Sequence, residues 1–186
     1  MADKVLFGFS DLYVGTYSVS TMGTVSLSSP YHQAGAVGFS PSEDSEEYNF
    51  YADNIAYYSD FTGGKISGDL VVARFDDQFK KNFLGYGTTT GGGVAKVKGA
   101  TKPKVYMMFE VQTDTDPIRA IYYNGSFGNI TREFSTIEES KEVATESLAT
   151  SFVGDEGTGI QYAIYHKGDS AYSTLFTNPP TPALTT

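Results

Sequence analysis

The clearest signal in the chain is alternation of apolar and polar positions with a period of two, the mark of β-strands that bury one face. In Lys104–Gln112, Val105, Met107, Phe109 and Val111 share one face, and Tyr106, Met108 and Glu110 share the other. In Lys65–Arg74, Ile66, Leu70 and Val72 line up with Gly68. Glu47–Asp53, Ile118–Asn124, Ile160–His166, Leu12–Val19 and Ala34–Phe39 read as further strands, separated by Gly, Asp, Asn or Pro. Short strands with such punctuation predict an antiparallel β-sandwich or barrel.

One segment departs from that period. Phe75, Phe79 and Phe83 recur every four residues between Asp76 and Gly85. An Asp caps the free N–H groups of a first turn, Gly suits the left-handed position after a last turn, and acids precede lysines along the dipole. This predicts one short helix over about Asp76–Leu84, laid on the sheet by its Phe face, with core packing as the role of that stripe. A second segment is ambiguous. Thr136-Ile137-Glu138-Glu139 resembles a capping box, yet Val143, Thr145, Thr150 and Phe152 suit a strand.

Two stretches carry no core pattern. Gly85–Thr101, which includes Gly91-Gly92-Gly93 and Lys96 and Lys98, is glycine-rich and is expected to be mobile, with a flexible hairpin tip. The Pro-rich end, 177–186, is expected to be a disordered tail or an arm that docks on a neighbour, following a β domain over 1–176.

Composition narrows the chemistry. The 186 residues include 14 Tyr and 13 Phe, a bias that favours β structure. Acids outnumber bases 22 to 13, a formal charge of −9, which opposes a protein that grips nucleic acid through its phosphates. With no Cys and only His32 and His166, thiol catalysis, Cys-based zinc sites and His-rich metal clusters drop out. No apolar run is long enough to span a bilayer, and the first ten residues lack a secretory leader's apolar core. The expectation is a protein made in a cytoplasm that leaves it only within an assembly.

The usual catalytic signatures are missing. No Gly-x-Ser-x-Gly elbow occurs, and the triple-glycine loop lacks the Gly-Lys-Ser/Thr ending of a phosphate cradle. Thr113-Asp114-Thr115-Asp116, before Pro117, reads as a polar turn rather than a calcium loop. No catalytic, cofactor-binding or metal-ligating residue is assigned. The acidic run Ser42-Glu43-Asp44-Ser45-Glu46-Glu47 is expected to be the charged tip of a long hairpin. It reads either as a solvated turn or as a surface that faces a polyanion without binding it.

Several pieces in order resemble the major tail proteins, or tail tube proteins, of siphophages. They are Gly35-Ala36-Val37-Gly38-Phe39-Ser40, Phe50-Tyr51-Ala52-Asp53-Asn54, Gly68-Asp69-Leu70 leading into Phe75–Gly85, Val105-Tyr106-Met107-Met108-Phe109-Glu110, and Arg119-Ala120-Ile121-Tyr122-Tyr123-Asn124. The turn at Gln112–Pro117 and the long glycine loop depart from the family's pattern. The resemblance implies a β-sandwich or barrel flanked by one helix, and makes the ambiguous segment a strand near Lys141–Val153. It also implies hexameric rings stacked into a tube in the virion tail. Its partners would be other copies, a tape-measure protein and the tail tip and terminator proteins, with DNA passing unbound and no membrane involved. On that reading Glu43, Asp44, Glu46 and Glu47 belong to a lumen-facing or inter-ring hairpin, and Gly91, Gly92, Gly93, Lys96 and Lys98 to an assembly loop. The rival is an adhesion or carbohydrate-binding module, with Tyr57-Tyr58 and Tyr122-Tyr123 as a sugar platform.

Overall fold

The computed structural model describes residues 5–52, 55–132 and 144–184, with the side chains of 46–62 excepted. In chain order the strands are β1 (Leu6–Val19), β2 (Val25–Leu27), β3 (Tyr31–His32), β4 (Ala36–Ala52) and β5 (Ile55–Val72). Helix α1 (Asp77–Leu84) follows, then β6 (Tyr86–Thr88), β7 (Val94–Lys96), β8 (Val105–Thr113), β9 (Ile118–Arg132), β10 (Glu146–Phe152) and β11 (Tyr162–Tyr165). All pairings are antiparallel. The main sheet runs β2-β1-β8-β9-β10-β5-β4, with β3 added to β1 and β11 to β9, while β6 and β7 form a separate hairpin. The sheet curls without closing, as in a sandwich.

Strand β8 sets the layering, because both of its faces are buried. Val105, Met107 and Phe109 join Leu12, Val14, Ile66, Leu70, Val72, Leu148 and Phe152 in the larger core. Helix α1 roofs that core with Phe79, Phe83 and Leu84. Tyr106 and Met108 point the other way, into a second cluster with Tyr17, Ile121, Tyr123 and Leu175. Two glycines make room for rings on the sheet. A Cβ on Gly15 would overlap the Tyr106 ring, and one on Gly125 would overlap Phe152.

The helix ends as its sequence predicts. Asp76 Oδ1 accepts from the Phe79 N–H at 2.6 Å, and Gly85 sits at φ 68° with its N–H bonded to the Lys80 carbonyl. A side chain at Gly85 would also crowd Ala100 and Thr101.

Strands β1 and β9 are longer than their alternation predicts, and in each a bulge hides the excess. Asp11 adopts φ 52°, and the β1–β8 register shifts between Phe7 and Phe9 and again between Ser10 and Tyr13. Asn124 adopts φ 51° midway along β9, where the register against β8 also shifts. A bulge inserts one residue and reverses the phase of alternation, so a period-two pattern stops there while the strand continues. The ambiguous segment is extended where described, as β10; Lys141–Val143 and the capping-box residues Thr136–Glu139 lie outside the described residues.

Two expectations need correction. The acidic run is not a hairpin tip. Glu43, Asp44, Glu46 and Glu47 lie within β4, paired along β5, and the turn falls after Ala52. Strand pairing satisfies the backbone through the run, and the exposed positions Glu43 and Asp44 can carry charges that core-facing positions cannot. The glycine-rich stretch is also more regular than expected. Tyr86–Thr88 pairs with Val94–Lys96, and Thr89 Oγ1 accepts from the Gly93 N–H at 3.0 Å to close the tip.

Candidate functional site

Strand β10 pairs with β5 only along Ile66–Val72. Beyond that point β4 and β5 continue together as a two-stranded ribbon, with Ser45 opposite Gly63 and Ala52 opposite Ile55. Among the described residues β4 has no strand on its outer edge. Glu43 and Asp44 are exposed where the ribbon leaves the sheet, and Asp44 reaches Lys65 at 3.8 Å and the Ser67 hydroxyl at 3.2 Å. Glu46 and Glu47 follow in register with Thr62 and Phe61. A bare edge is a template for another strand, and charges along it restrict which strands can add.

The Phe stripe faces inward. Phe75 and Phe79 are fully buried and Phe83 nearly so, with neighbouring ring centroids 4.8 and 5.1 Å apart, and Phe79 meets Phe127 at 5.8 Å. A polar network fastens the start of the helix. Tyr31 donates to Asp76 Oδ2 at 2.6 Å, Glu146 accepts from the Phe75 N–H at 2.7 Å, and Gln33 donates to the carbonyls of Ala34 and Arg74. Burial, reinforced by Asp76, pushes the Tyr31 hydroxyl up to about 12. Arg132 Nε meets Glu146 at 2.6 Å, and these two line a cavity of about 340 Å³ with Ala73, Arg74 and Lys80.

At the glycine hairpin, Gly91 and Gly92 leave open space around their α-carbons, and Lys96 and Lys98 are exposed. Lys102 is tied down, its ammonium donating to the carbonyls of Phe127 and Gly128. Lys104 donates to the Ser126 hydroxyl at 2.9 Å. Burial lowers the Lys102 pKa, and the charge of Lys96 lowers it further.

The second sheet face holds the residues that sequence reasoning missed. The segment after β11 crosses it without strand pairing. Arg119 anchors that crossing: its Cζ lies 4.4 Å from the ring centres of both Tyr172 and Phe176, and its NH1 donates to the Tyr172 carbonyl at 2.6 Å. Farther on, Tyr123 donates to the Pro180 carbonyl at 2.9 Å, and Pro182 is buried. As far as Pro182, then, the Pro-rich end lies against its own domain. A basic residue followed far downstream by two aromatics was the available signal, but nothing in the spacing joins them. Asp155, also unassigned, accepts from Tyr17 at 2.6 Å and from the N–H and hydroxyl of Thr158, each at 2.7 Å.

The His32 ring packs on Tyr13 with centroids 4.8 Å apart, and the His166 backbone N–H donates to Asp169. Thr113–Asp116 is the expected polar turn, with the Thr113 hydroxyl donating to the Asp116 carbonyl at 2.7 Å. No group of three or more His, Cys, Asp or Glu side chains is placed to hold a metal among the described residues. Tyr122 and Tyr123 belong to opposite cores and are buried, so they form no sugar platform.

No curated protein matches the chain. The tube-terminating cap of the anti-feeding prophage resembles it at 12% identity and TM-score 0.42, over 90% of this chain and 95% of that one. The sheath/tube terminator of an extracellular contractile injection system does so at 12% identity and TM-score 0.42, over 89% and 100%. The sheath–tube complex of such a system does so at 12% identity and TM-score 0.40, over 86% and 90%. A family model described as phage tail tube protein matches residues 2–179, nearly the whole sequence. The chain belongs to the phage tail tube protein family.

Proposed function

We propose that this chain is the major tail tube subunit of a siphophage, a structural virion protein without catalytic activity. Six copies form a ring, and rings stack into a tube around a tape-measure protein between tip and terminator proteins. The tube later conducts DNA without binding it. Within it, the acids Glu43, Asp44, Glu46 and Glu47 belong to the lumen wall or the contact between rings, and the Gly91–Gly93 tip with Lys96 and Lys98 belongs to a contact between copies.

The observation that carries this reading, beside the family, is the β4–β5 ribbon with its open outer edge. A two-stranded ribbon with a bare outer edge offers backbone groups that a strand of a second copy can pair. Stacking of rings is a contact between unlike surfaces that never closes, so it propagates as a filament. A net charge of −9 suits a conduit that must not hold DNA.

Negative-stain electron microscopy of the purified protein across a concentration series is the test. Rings or hollow tubes are expected. Particles of monomer size at every concentration, with no ring after addition of a tail tip complex, would overturn the reading.

A further inference from the structure

Charge is segregated along this chain. Between Lys4 and Lys65 there is no Lys or Arg, while Asp11, Glu43, Asp44, Glu46, Glu47, Asp53 and Asp60 contribute −7. Between Asp77 and Glu110 there is no Asp or Glu, while Lys80, Lys81, Lys96, Lys98, Lys102 and Lys104 contribute +6. The acid-rich block is concentrated on the β4–β5 ribbon, and four lysines of the basic block lie on β7 and the segment that follows it. Among the described residues, Lys65 pairs with Asp44, Lys80 with Asp77, Arg119 with Glu110, Arg132 with Glu146 and Lys167 with Asp116. None of these pairs, among the described side chains, involves Lys96, Lys98, Lys102 or Lys104. Within one copy, therefore, these four lysines form no ion pair with Glu43 or Asp44, the described acids of the ribbon.

We infer that Lys96, Lys98, Lys102 and Lys104 form the receiving surface for the acidic β4–β5 ribbon of a neighbouring copy of this chain. The inference rests on the tube reading and names the charges that join its subunits. Lys96 and Lys98 are exposed and free to meet carboxylates. Lys102 and Lys104 are held by Phe127, Gly128 and Ser126, so they add positive field from fixed positions. Burial lowers the Lys102 pKa and the charge of Lys96 lowers it further, and a carboxylate arriving beside them offsets that second effect. The bare Gly91–Gly92 tip puts no bulk in the way. Ribbon and lysine surface are different patches, so the contact is heterologous and repeats from copy to copy.

Two experiments on the full chain test this. In the first, ¹⁵N-labelled and unlabelled protein are mixed and treated with a carbodiimide, which joins a lysine amine to a carboxylate with loss of water. Mixed-isotope links from Lys96 or Lys98 to Glu43, Asp44, Glu46 or Glu47 are expected. Mixed-isotope links confined to other residues would overturn this inference and leave the tube reading standing; no intermolecular link at all would count against both. In the second, assembly is followed by sedimentation. K96E/K98E should need about tenfold more protein to assemble, through like-charge repulsion, and K96E/K98E/E43K/D44K should recover most of that loss. Assembly of K96E/K98E at the wild-type concentration would overturn the inference. So would loss of short-duplex DNA binding in that variant with its mixed-isotope ribbon links absent in the wild type, which would make the patch a nucleic-acid surface.

Discussion

Arg119 donates from Nε to Oε2 of Glu110 at 2.9 Å, across a directly opposed pair of β8 and β9. The same guanidinium is held between Tyr172 and Phe176, so one side chain joins the central strands to the segment that covers them. Removing it strands a largely buried carboxylate and loosens that cover together. Arg119→Ala should cost about 2–4 kcal/mol in urea unfolding. Arg119→Lys should recover only part, because an ammonium lacks the planar fork that bonds and stacks at once. Equal stability of the Ala and wild-type proteins would remove Arg119 from this role.

Asp76 serves two partners, the Phe79 N–H and the Tyr31 hydroxyl. Asp76→Ala should destabilise the protein by about 1–2 kcal/mol, the range for a lost helix cap. Asp76→Asn should lose less, since an amide oxygen still caps. Comparing both with Tyr31→Phe in a double-mutant cycle separates the cap from the hydroxyl contact.

Asn124 is in the left-handed region, and its side-chain amide donates to the buried Gly154 carbonyl at 2.8 Å. Asn124→Gly keeps the backbone free to adopt φ 51° but loses the hydrogen bond, whereas Asn124→Ala loses both. Thermal unfolding should rank wild type above Gly and Gly above Ala, with about 1–3 kcal/mol for the lost bond at a buried acceptor. An Ala variant as stable as the Gly variant would show that the backbone geometry there is not demanding.

Stability should fall at both ends of the pH scale. Burial pushes the Asp155 carboxyl up, but hydrogen bonds from Tyr17, Thr158 and Gly157 outweigh it and hold the group below its ordinary value. A depressed carboxylate contributes stability above its unfolded pKa, near 3.9, and that contribution is lost as pH falls through the folded value. Asp155→Asn should therefore flatten the acid limb below about pH 4. Tyr31 and Tyr122 are both pushed up to about 12, chiefly by burial. Their neutral forms contribute fully below the unfolded value near 10, and the contribution fades as pH rises towards 12. A fraction of the tyrosinate absorbance that appears only together with unfolding would bear this out; free titration of all tyrosines near pH 10 would contradict it.

Deleting 177–186 removes the Pro180 carbonyl that Tyr123 bonds and the buried Pro182. Leu175 and the Arg119 stacking partners remain. The truncated chain should keep its β spectrum, lose about 1–3 kcal/mol of stability from the exposed Tyr123 hydroxyl and ring, and assemble less readily. Loss of the β spectrum would make the segment part of the core.

Much of the interior was legible from local pattern. The alternation in Val105–Val111 places Met107 and Met108 on opposite faces, and the structure buries both in separate cores. The four-residue spacing of Phe75, Phe79 and Phe83, with Asp76 before and Gly85 after, predicts a helix, its direction and its buried side. Each feature depends on neighbours a few residues apart, where backbone geometry alone fixes which side chains share a face.

The sequence by itself determined the β class, the capped helix and the segregation of charge. Those are properties of local backbone geometry and of composition. Only the tertiary structure decided that β1 and β9 run past bulges at Asp11 and Asn124, that the acids lie along a strand rather than at its turn, and that Arg119 clasps the closing segment. Bulges are placed by the partner strand's register, and the Arg119 clasp joins residues more than fifty positions apart. Such contacts are chosen when the sheet curls and brings distant side chains together, and no spacing along the chain encodes that meeting.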